Sequence, residues 1–195
     1  MALTKLRSGG ITDDAVVAAA LATDSVGADA LSSSAIARGD LPAGAILQVV
    51  STVATGADTK STSGFVDFDQ LVASITPIST SSKIFVTATI YASSGSGYRF
   101  GFRIVRSGTA FHEPTSASNR RTTHTGGLGT NSANIDGCFT ISLLDSPSST
   151  AQRNYKVQGL AEQSGTIYLN RSATDTDNDT VFRAVSSITV MEVAQ

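Results

Sequence analysis

Three aspartates at alternate positions have the spacing that metal chemistry would need. Asp175, Asp177 and Asp179 lie in the stretch DTDND, and carboxylates at positions one, three and five begin a calcium-binding loop. The sixth position, however, is Thr180 and not glycine, and the twelfth is Ser186 and not a bidentate glutamate. We interpret the stretch as a solvated turn, keep the three aspartates as a candidate cation site, and expect no cofactor.

Two histidines could supply an acid–base pair or metal ligands. His112 precedes Glu113, and His124 ends the stretch RRTTH. Neither histidine has a third ligand at the spacing of a zinc site. The chain also contains no nucleophile-elbow, phosphate-loop or zinc-protease motif. The sequence therefore predicts no catalytic residues, and we do not expect an enzyme.

A long polar segment carries the best candidates for surface contact. The segment SASNRRTTHTGGLGTNSAN is rich in Gly, Asn, Ser and Thr, and it contains Arg120, Arg121 and His124. Loops longer than about 12–15 residues in compact domains are usually functional or disordered. We expect these three side chains to contact a glycan or another protein; the alternative is a plain flexible or inter-subunit loop.

Composition limits the classes of function. The 195 residues include 14 basic and 16 acidic side chains, a net charge of -2, so nucleic-acid binding by a basic surface is not expected. No apolar run approaches the roughly 18 residues that cross a bilayer, so membrane insertion is not expected, and the start MALTKL predicts no signal peptide. The single Cys138 is expected to be buried, because free cysteines are among the most buried residues.

The elements that position these residues fall into two parts, and the first is a repeat. Five residues turn an α-helix by about 500°, and an odd spacing changes face along a strand, so a five-residue period suits neither element in one copy. We interpret residues 1–41 as an anchor or shaft in which three copies wind together. The apolar residues that would line the trimer axis are Ile11, Val16, Leu21, Val26, Leu31 and Ile36, and the same register reaches Leu6, Leu41 and Ile46.

A single-chain pentapeptide-repeat β-helix is the alternative for this repeat. In that fold the position two residues before each large apolar side chain also points inward. Here that column reads Asp14, Ala19, Asp24 and Asp29. Unpaired buried aspartates would cost several kcal/mol each, which favours the shaft.

The second part, residues 42–195, contains short β-like runs between turn-rich loops. Pro42 and Gly44 mark the boundary. Alternating apolar residues predict about eight strands, which favours an antiparallel β-sandwich of jelly-roll type. The runs are ILQVVSTV, GFVDFDQLVASI, KIFVTATIY, YRFGFRIVR, CFTISLL, RNYKVQGLA, GTIYLN and SSITVMEV.

Several phrases resemble those of known proteins. MALTKL, the ITDDAV type of repeat, LPAGAILQVV, FRIVRSGTA, ISLLDSPSST and SSITVMEV are similar to the fibre-type structural proteins of tailed bacteriophages, particularly marine and cyanobacterial ones. The resemblance covers essentially the whole chain. It implies a mostly β homotrimer with an extended N-terminal shaft and a C-terminal knob, located in the virion as a tail fibre or head fibre.

The same resemblance implies the partners. Such proteins attach to other virion proteins of the capsid or tail, here through the N-terminal region, and contact the host surface, here a glycan, through the knob. The competing interpretations are a carbohydrate-binding, receptor-binding module of a tail fibre and a glycan-depolymerising tailspike. A depolymerase would need paired carboxylates in a long β-helix, and the knob is too short for one.

The axis interpretation predicts different effects for two double variants. Leu21→Asp with Leu31→Asp would place carboxylates from three copies close together, where like charges repel and lose hydration. Limited proteolysis should then cleave residues 5–40. The matched variant Asp24→Ser with Asp29→Ser should stay resistant, because exposed charges usually contribute within about half a kcal/mol. Equal sensitivity would show that the period of five does not mark a buried axis.

Overall fold

The structure, a computed structural model, describes residues 41–95, 97–116, 118–130, 135 and 137–195. The chain divides into two units, Met1–Leu41 and Pro42–Gln195. The repeat positions from Ile11 to Ile36 lie outside the described residues, so the shaft and its axis stay predictions.

The described residues of the second unit form eleven strands and a short 3-10 turn at Glu162–Ser164. Within the described part of the chain, no helix is long and apolar enough to cross a membrane. The strands are β1 Ile46–Ala54, β2 Asp58–Ser61, β3 Val66–Ile75, β4 Lys83–Ser94, β5 Arg99–Arg106, β6 Thr109–Ala110, β7 Thr125–Leu128, β8 Gly137–Asp145, β9 Arg153–Ala161, β10 Thr166–Leu169 and β11 Ser186–Val193.

The strands pair into two antiparallel sheets. Sheet A has the order β1–β11–β4–β8, and β10 and β2 continue it from the last residues of β4. Sheet B has the order β3–β9–β5, with β6 and β7 on the far edge of β5. Without the short β2, β6 and β10, eight strands remain, and β1, β11, β4 and β8 of sheet A face β3, β9, β5 and β7 of sheet B. When these eight strands are counted from one to eight along the chain, the sheets read 1-8-3-6 and 2-7-4-5, which is the jelly-roll order. The predicted antiparallel sandwich is confirmed.

The core lies between the sheets and is filled by the inward positions of each strand. In β4, the alternate residues Ile84, Val86, Ala88 and Ile90 are all buried, as period two predicts. From sheet B and the facing β8, four aromatic rings pack with centroids 5.3–6.0 Å apart: Phe68, Phe100, Phe102 and Phe139. These rings bring the two sheets together at one end of the sandwich.

Glycine is required beside this aromatic cluster. An added Cβ on Gly159 of β9 would lie 2.5 Å from the Phe68 ring and 3.0 Å from Ile167 Cδ1. Because both neighbours are fully buried, neither could move without disturbing the core.

The expectation that Cys138 is buried is wrong. Its thiol is exposed on the outer face of β8. The reason is the alternation of side chains along the strand. Phe139, Ile141 and Leu143 point inward, so Cys138, which directly precedes Phe139, points outward.

A buried ionic contact joins the two sheets. Asp145 ends β8 of sheet A and is 4% exposed. It accepts hydrogen bonds from Arg106 of β5 at 2.7 and 2.8 Å and from the Tyr155 hydroxyl of β9 at 2.7 Å. Burial, followed by the neighbouring Asp145 carboxylate, raises the pKa of Tyr155, so this hydroxyl remains a donor across the physiological range.

Removing this carboxylate should destabilise the sandwich. Asp145→Ala leaves the partly buried Arg106 and the buried Tyr155 hydroxyl without their acceptor, and should lower the free energy of unfolding by about 3 kcal/mol. Urea denaturation measures the change. The control Asp58→Ala breaks a more exposed 3.4 Å pair with Lys60 and should cost less than about 1 kcal/mol. Equal small losses for both variants would contradict a role of Asp145 in joining the sheets.

Candidate functional site

A basic cleft lies on the outer face of sheet B, where β7 pairs with β5. Its volume is about 620 Å³. Phe100 and Phe102 point into the core, so Arg99 and Gly101, which alternate with them, face outward. The charged residues of the cleft are Arg99, Arg120, Arg121 and Glu162. The structure therefore brings two of the three predicted contact residues, Arg120 and Arg121, into one cleft with Arg99.

The floor of the cleft combines the exposed backbone of Gly126 with the Thr123 side chain, which lies over the buried Gly101. Gly101 of β5 and Gly126 of β7 are direct cross-strand partners. A Cβ on Gly126 would lie 2.4 Å from the Phe100 carbonyl oxygen, so only glycine permits this approach of the strands. Leu128, which is 54% exposed, also lines the cleft. The result is a shallow floor with an apolar side chain beside it.

The charges of the cleft do not cancel. The backbone amide of Arg99 donates to Glu162 Oε1 at 3.0 Å, and its guanidinium donates to both carboxylate oxygens at 3.2 and 3.3 Å. The backbone hydrogen bond, with the guanidinium, holds the pKa of Glu162 below its usual value. Among the described residues, no carboxylate forms an ion pair with Arg120 or Arg121. Two positive charges are therefore left over in a chain whose net charge is -2.

His124, the third predicted contact residue, fastens the segment that carries these arginines. Its backbone N–H donates to the Phe102 carbonyl at 2.8 Å, and its Nδ1 accepts from the Ile104 N–H at 3.1 Å. The ring therefore carries its proton on Nε2, which donates to the Phe111 carbonyl at 3.0 Å. Burial lowers the pKa of His124. Both nitrogens are engaged within the protein, so we assign His124 a positioning role.

The other histidine does not combine with its neighbour into a site. His112 Nε2 lies 3.1 Å from the Leu144 carbonyl. Glu113 accepts from Arg103 at 2.8 Å, and the same guanidinium lies over the Phe65 ring at 3.5 Å. The two side chains thus have separate structural partners.

The aspartates of DTDND do not gather into a ligand set. Asp175 accepts from Arg183 at 2.6 Å and lies 3.6 Å from Arg171, while Asp177 and Asp179 are exposed. Among the residues that the structure describes, no three His, Cys, Asp or Glu side chains are grouped to hold a metal ion. The geometry gives the calcium-loop hypothesis no support.

A second surface, on the outer face of sheet A, is apolar. We call it the apolar row; it crosses four strands through direct cross-strand partners, namely Val49, Met191, Phe85 and Leu144. Val49 is 54% exposed and Leu144 is 46% exposed, whereas Phe85 and Met191 are half-buried. Beside the row, Ile46 pairs with Val193 and is 55% exposed.

Sequence reasoning missed the apolar row because its members come from four strands. Each is a single outward apolar residue in a run that otherwise alternates normally. Only the strand register aligns them. The sequence does contain one indication of the apolar row. Phe85 is a large apolar residue at an outward position of its strand, whereas the next outward positions are threonines such as Thr87.

Comparisons with known proteins give little. No family model and no curated protein matches the chain. Among solved structures, the chain is similar to VP2 of infectious bursal disease virus in its subviral particle, with 17% identity, a TM-score of 0.38, and coverage of 76% of this chain and 38% of that one. A mutant VP2 of this virus gives 13% identity, a TM-score of 0.36, and coverage of 75% and 36%. The chain spans well under half the length of these structures, and the TM-scores are too low to assign it a function.

The role of His124 predicts a pH response. Because its folded pKa lies below the ordinary 6.5, the unfolded segment takes up a proton more readily. The stability from neutral His124 is therefore complete above about pH 6.5 and is lost as the pH falls below it. Hydrogen exchange of residues 120–124, corrected for intrinsic rates, should accelerate between about pH 7.5 and pH 5.5.

Two histidine variants separate this effect from general acid lability. His124→Ala should exchange fast at both pH values, whereas His112→Ala should keep the normal response. An unaltered chain with the same corrected exchange at both pH values would rule out the assigned role.

Proposed function

We propose that the protein is a structural and interaction component of a virion, a trimeric fibre or spike attached to capsid or tail, and not an enzyme. One observation carries the proposal. The five-residue repeat continues into the described residues as Leu41 and Ile46, which are 37% and 55% exposed, and Ile46 lies beside the apolar row. Exposed apolar side chains of this kind, at Ile46 and along the apolar row, suit packing against further copies of the chain.

The free energy gained by burying the apolar row is small compared with the cost of association, so the five-residue repeat is expected to contribute to trimer formation as well. Burying a large apolar side chain contributes about 1.5–3 kcal/mol, and the apolar row is only partly exposed. Association costs about 4–15 kcal/mol in lost translational and rotational freedom. One row barely offsets that cost, so the repeat must contribute to assembly as well.

Three copies fit both features. In the shaft, each rung would join three apolar side chains on a common axis, as the resemblance to phage fibres implies. In the knob, three apolar rows would meet around a three-fold axis, which closed cyclic symmetry allows. Attachment to other virion proteins would then fall to the N-terminal region, and the knob would meet the host surface.

A carbohydrate-binding module is the second candidate function, and the basic cleft favours it. The jelly roll occurs in viral capsid proteins and in lectin domains alike, so the fold does not choose between them. The two functions are compatible, since a fibre knob can carry a sugar site.

Assembly and location can be tested on the full chain. Light scattering should give about three times 20.0 kDa, and antibodies should label purified virions. Phe85→Glu with Leu144→Glu should reduce the mass and the incorporation, because charges in the apolar row oppose its burial. The matched control, Gln152→Glu with Asn154→Glu at exposed positions after β8 and on β9, should change neither. A stable monomer would contradict the trimer, and unlabelled virions would contradict the location.

A further inference from the structure

Two guanidinium groups of the basic cleft, Arg120 and Arg121, have no ion-pair partner among the described residues. Elsewhere on the outer face of sheet B the described carboxylates have partners: Asp67 and Asp69 contact Lys156 at 2.8 and 3.2 Å, and Glu113 contacts Arg103. Glu162 is held by Arg99. Positive charge thus remains at Arg120 and Arg121, beside a cavity, rather than spread over the sheet.

Arginine pairs at a cavity indicate a particular ligand chemistry. A planar guanidinium donates two parallel hydrogen bonds to a carboxylate, sulfate or phosphate group. Arg120 and Arg121 are both exposed, so an incoming anion can reach them without breaking an internal ion pair among the described residues. An anionic group is therefore the feature that this cleft would recognise.

The rest of the cleft fits a sugar ring. Its volume of about 620 Å³ falls within the range of about 300–1,000 Å³ typical of small-molecule sites. The exposed backbone of Gly126 and the half-buried Thr123 side chain form the floor, and Leu128 offers an apolar surface for the C–H face of a ring. Among the described residues that line the cleft, the one aromatic residue is Phe100, which is 5% exposed and belongs to the core. Without an exposed aromatic platform, charge would provide most of the selectivity.

From these observations we infer that the basic cleft binds an acidic sugar, a pyranose carrying a carboxylate or sulfate group at a chain end or branch of a glycan. Arg120 and Arg121 hold the anionic group, and the ring lies over Gly126 and Thr123 against Leu128. Extended nucleic acid is disfavoured, because the chain carries a net charge of -2 and so offers no broad basic surface to a polyanion. The inference deepens the proposed host-surface contact and takes only its biological setting from that proposal.

Titration calorimetry on the full chain tests the inference with three short oligosaccharides of equal length. They end in glucuronic acid, in glucose 6-sulfate and in glucose, and a thymidine oligonucleotide serves as the polyanion control. We expect binding of one or both acidic sugars, weakened by sodium chloride, and at least tenfold weaker binding of the neutral sugar. The two acidic probes distinguish a carboxylated from a sulfated source.

Variants then locate the site. Arg120→Gln with Arg121→Gln should weaken acidic-sugar binding by about tenfold or more, and Leu128→Glu, which adds a negative charge to the cleft, should do the same. The control Lys60→Gln with Arg183→Gln removes two positive charges elsewhere and should leave affinity within about twofold, because both side chains form partly exposed ion pairs of small energy. Circular dichroism should show an unaltered fold in each variant.

Four results would overturn the inference: no binding of either acidic sugar, equal binding of the neutral sugar, equal loss in the control variant, or oligonucleotide binding as tight as that of the acidic sugars. The last would indicate an unspecific polyanion surface. A protein that assembles into virions but binds neither acidic sugar would leave the proposed structural role intact. An Arg120→Gln, Arg121→Gln variant that loses the sugar yet assembles normally would support both.

Discussion

The packing of aromatic rings between the two sheets fixes which side chains face outward. Phe68 and Phe102 meet at a centroid distance of 6.0 Å, and Phe100 meets Phe139 at 5.3 Å. Because strand side chains alternate, placing Phe100 and Phe102 inside forces Arg99 and Gly101 outside. A one-residue slip of β5 would bury the arginines and expose the rings. The position of the basic cleft is therefore a consequence of core packing.

Buried polar side chains hold the ends of the sandwich in register. Asn170 is 1% exposed with φ of +59°, a conformation that asparagine tolerates. Its side-chain amide donates to the Ala54 and Gly56 carbonyls at 2.7 and 2.9 Å, and its oxygen accepts from Ser186. At the opposite end, burial raises the pKa of Glu192, but hydrogen bonds from Gln48 and the Ile78 amide outweigh it, so the net shift is downward. The carboxylate therefore remains charged at neutral pH.

The sequence predicts those strands whose own residues determine them, and it misses strands that form only because a neighbouring strand pairs with them. The alternation from Ile84 to Ile90 reveals β4 directly, because every inward position is apolar. The segments DTKS of β2 and TGGL of β7 carry no such pattern; they are strands because β10 and β5 offer free edges to pair with. The cleft could be predicted only in part. The sequence indicates Arg120 and Arg121 as two arginines in a polar loop, but Arg99 and Glu162 join them only through the pairing of β5, β7 and β9.

The two outer faces of the sandwich differ in chemistry, and this difference constrains any assembly. Sheet A presents the apolar row next to uncharged hydroxyls, with Ser51 bonded to Thr189 and Thr87 to Ser142. Sheet B presents ion pairs and two uncompensated arginines. Burying sheet B between copies would desolvate those charges at a cost of several kcal/mol, whereas burying the apolar row of sheet A would desolvate mostly apolar and hydroxyl side chains, with Lys83 on the same face as Phe85. If copies meet through sheet A, their clefts point away from the axis, because the two outer faces lie on opposite sides of the sandwich. On the proposed trimer, three outward clefts would let the proposed glycan site act multivalently, and avidity gains of about 10²–10⁴ would compensate for a shallow, weak single site.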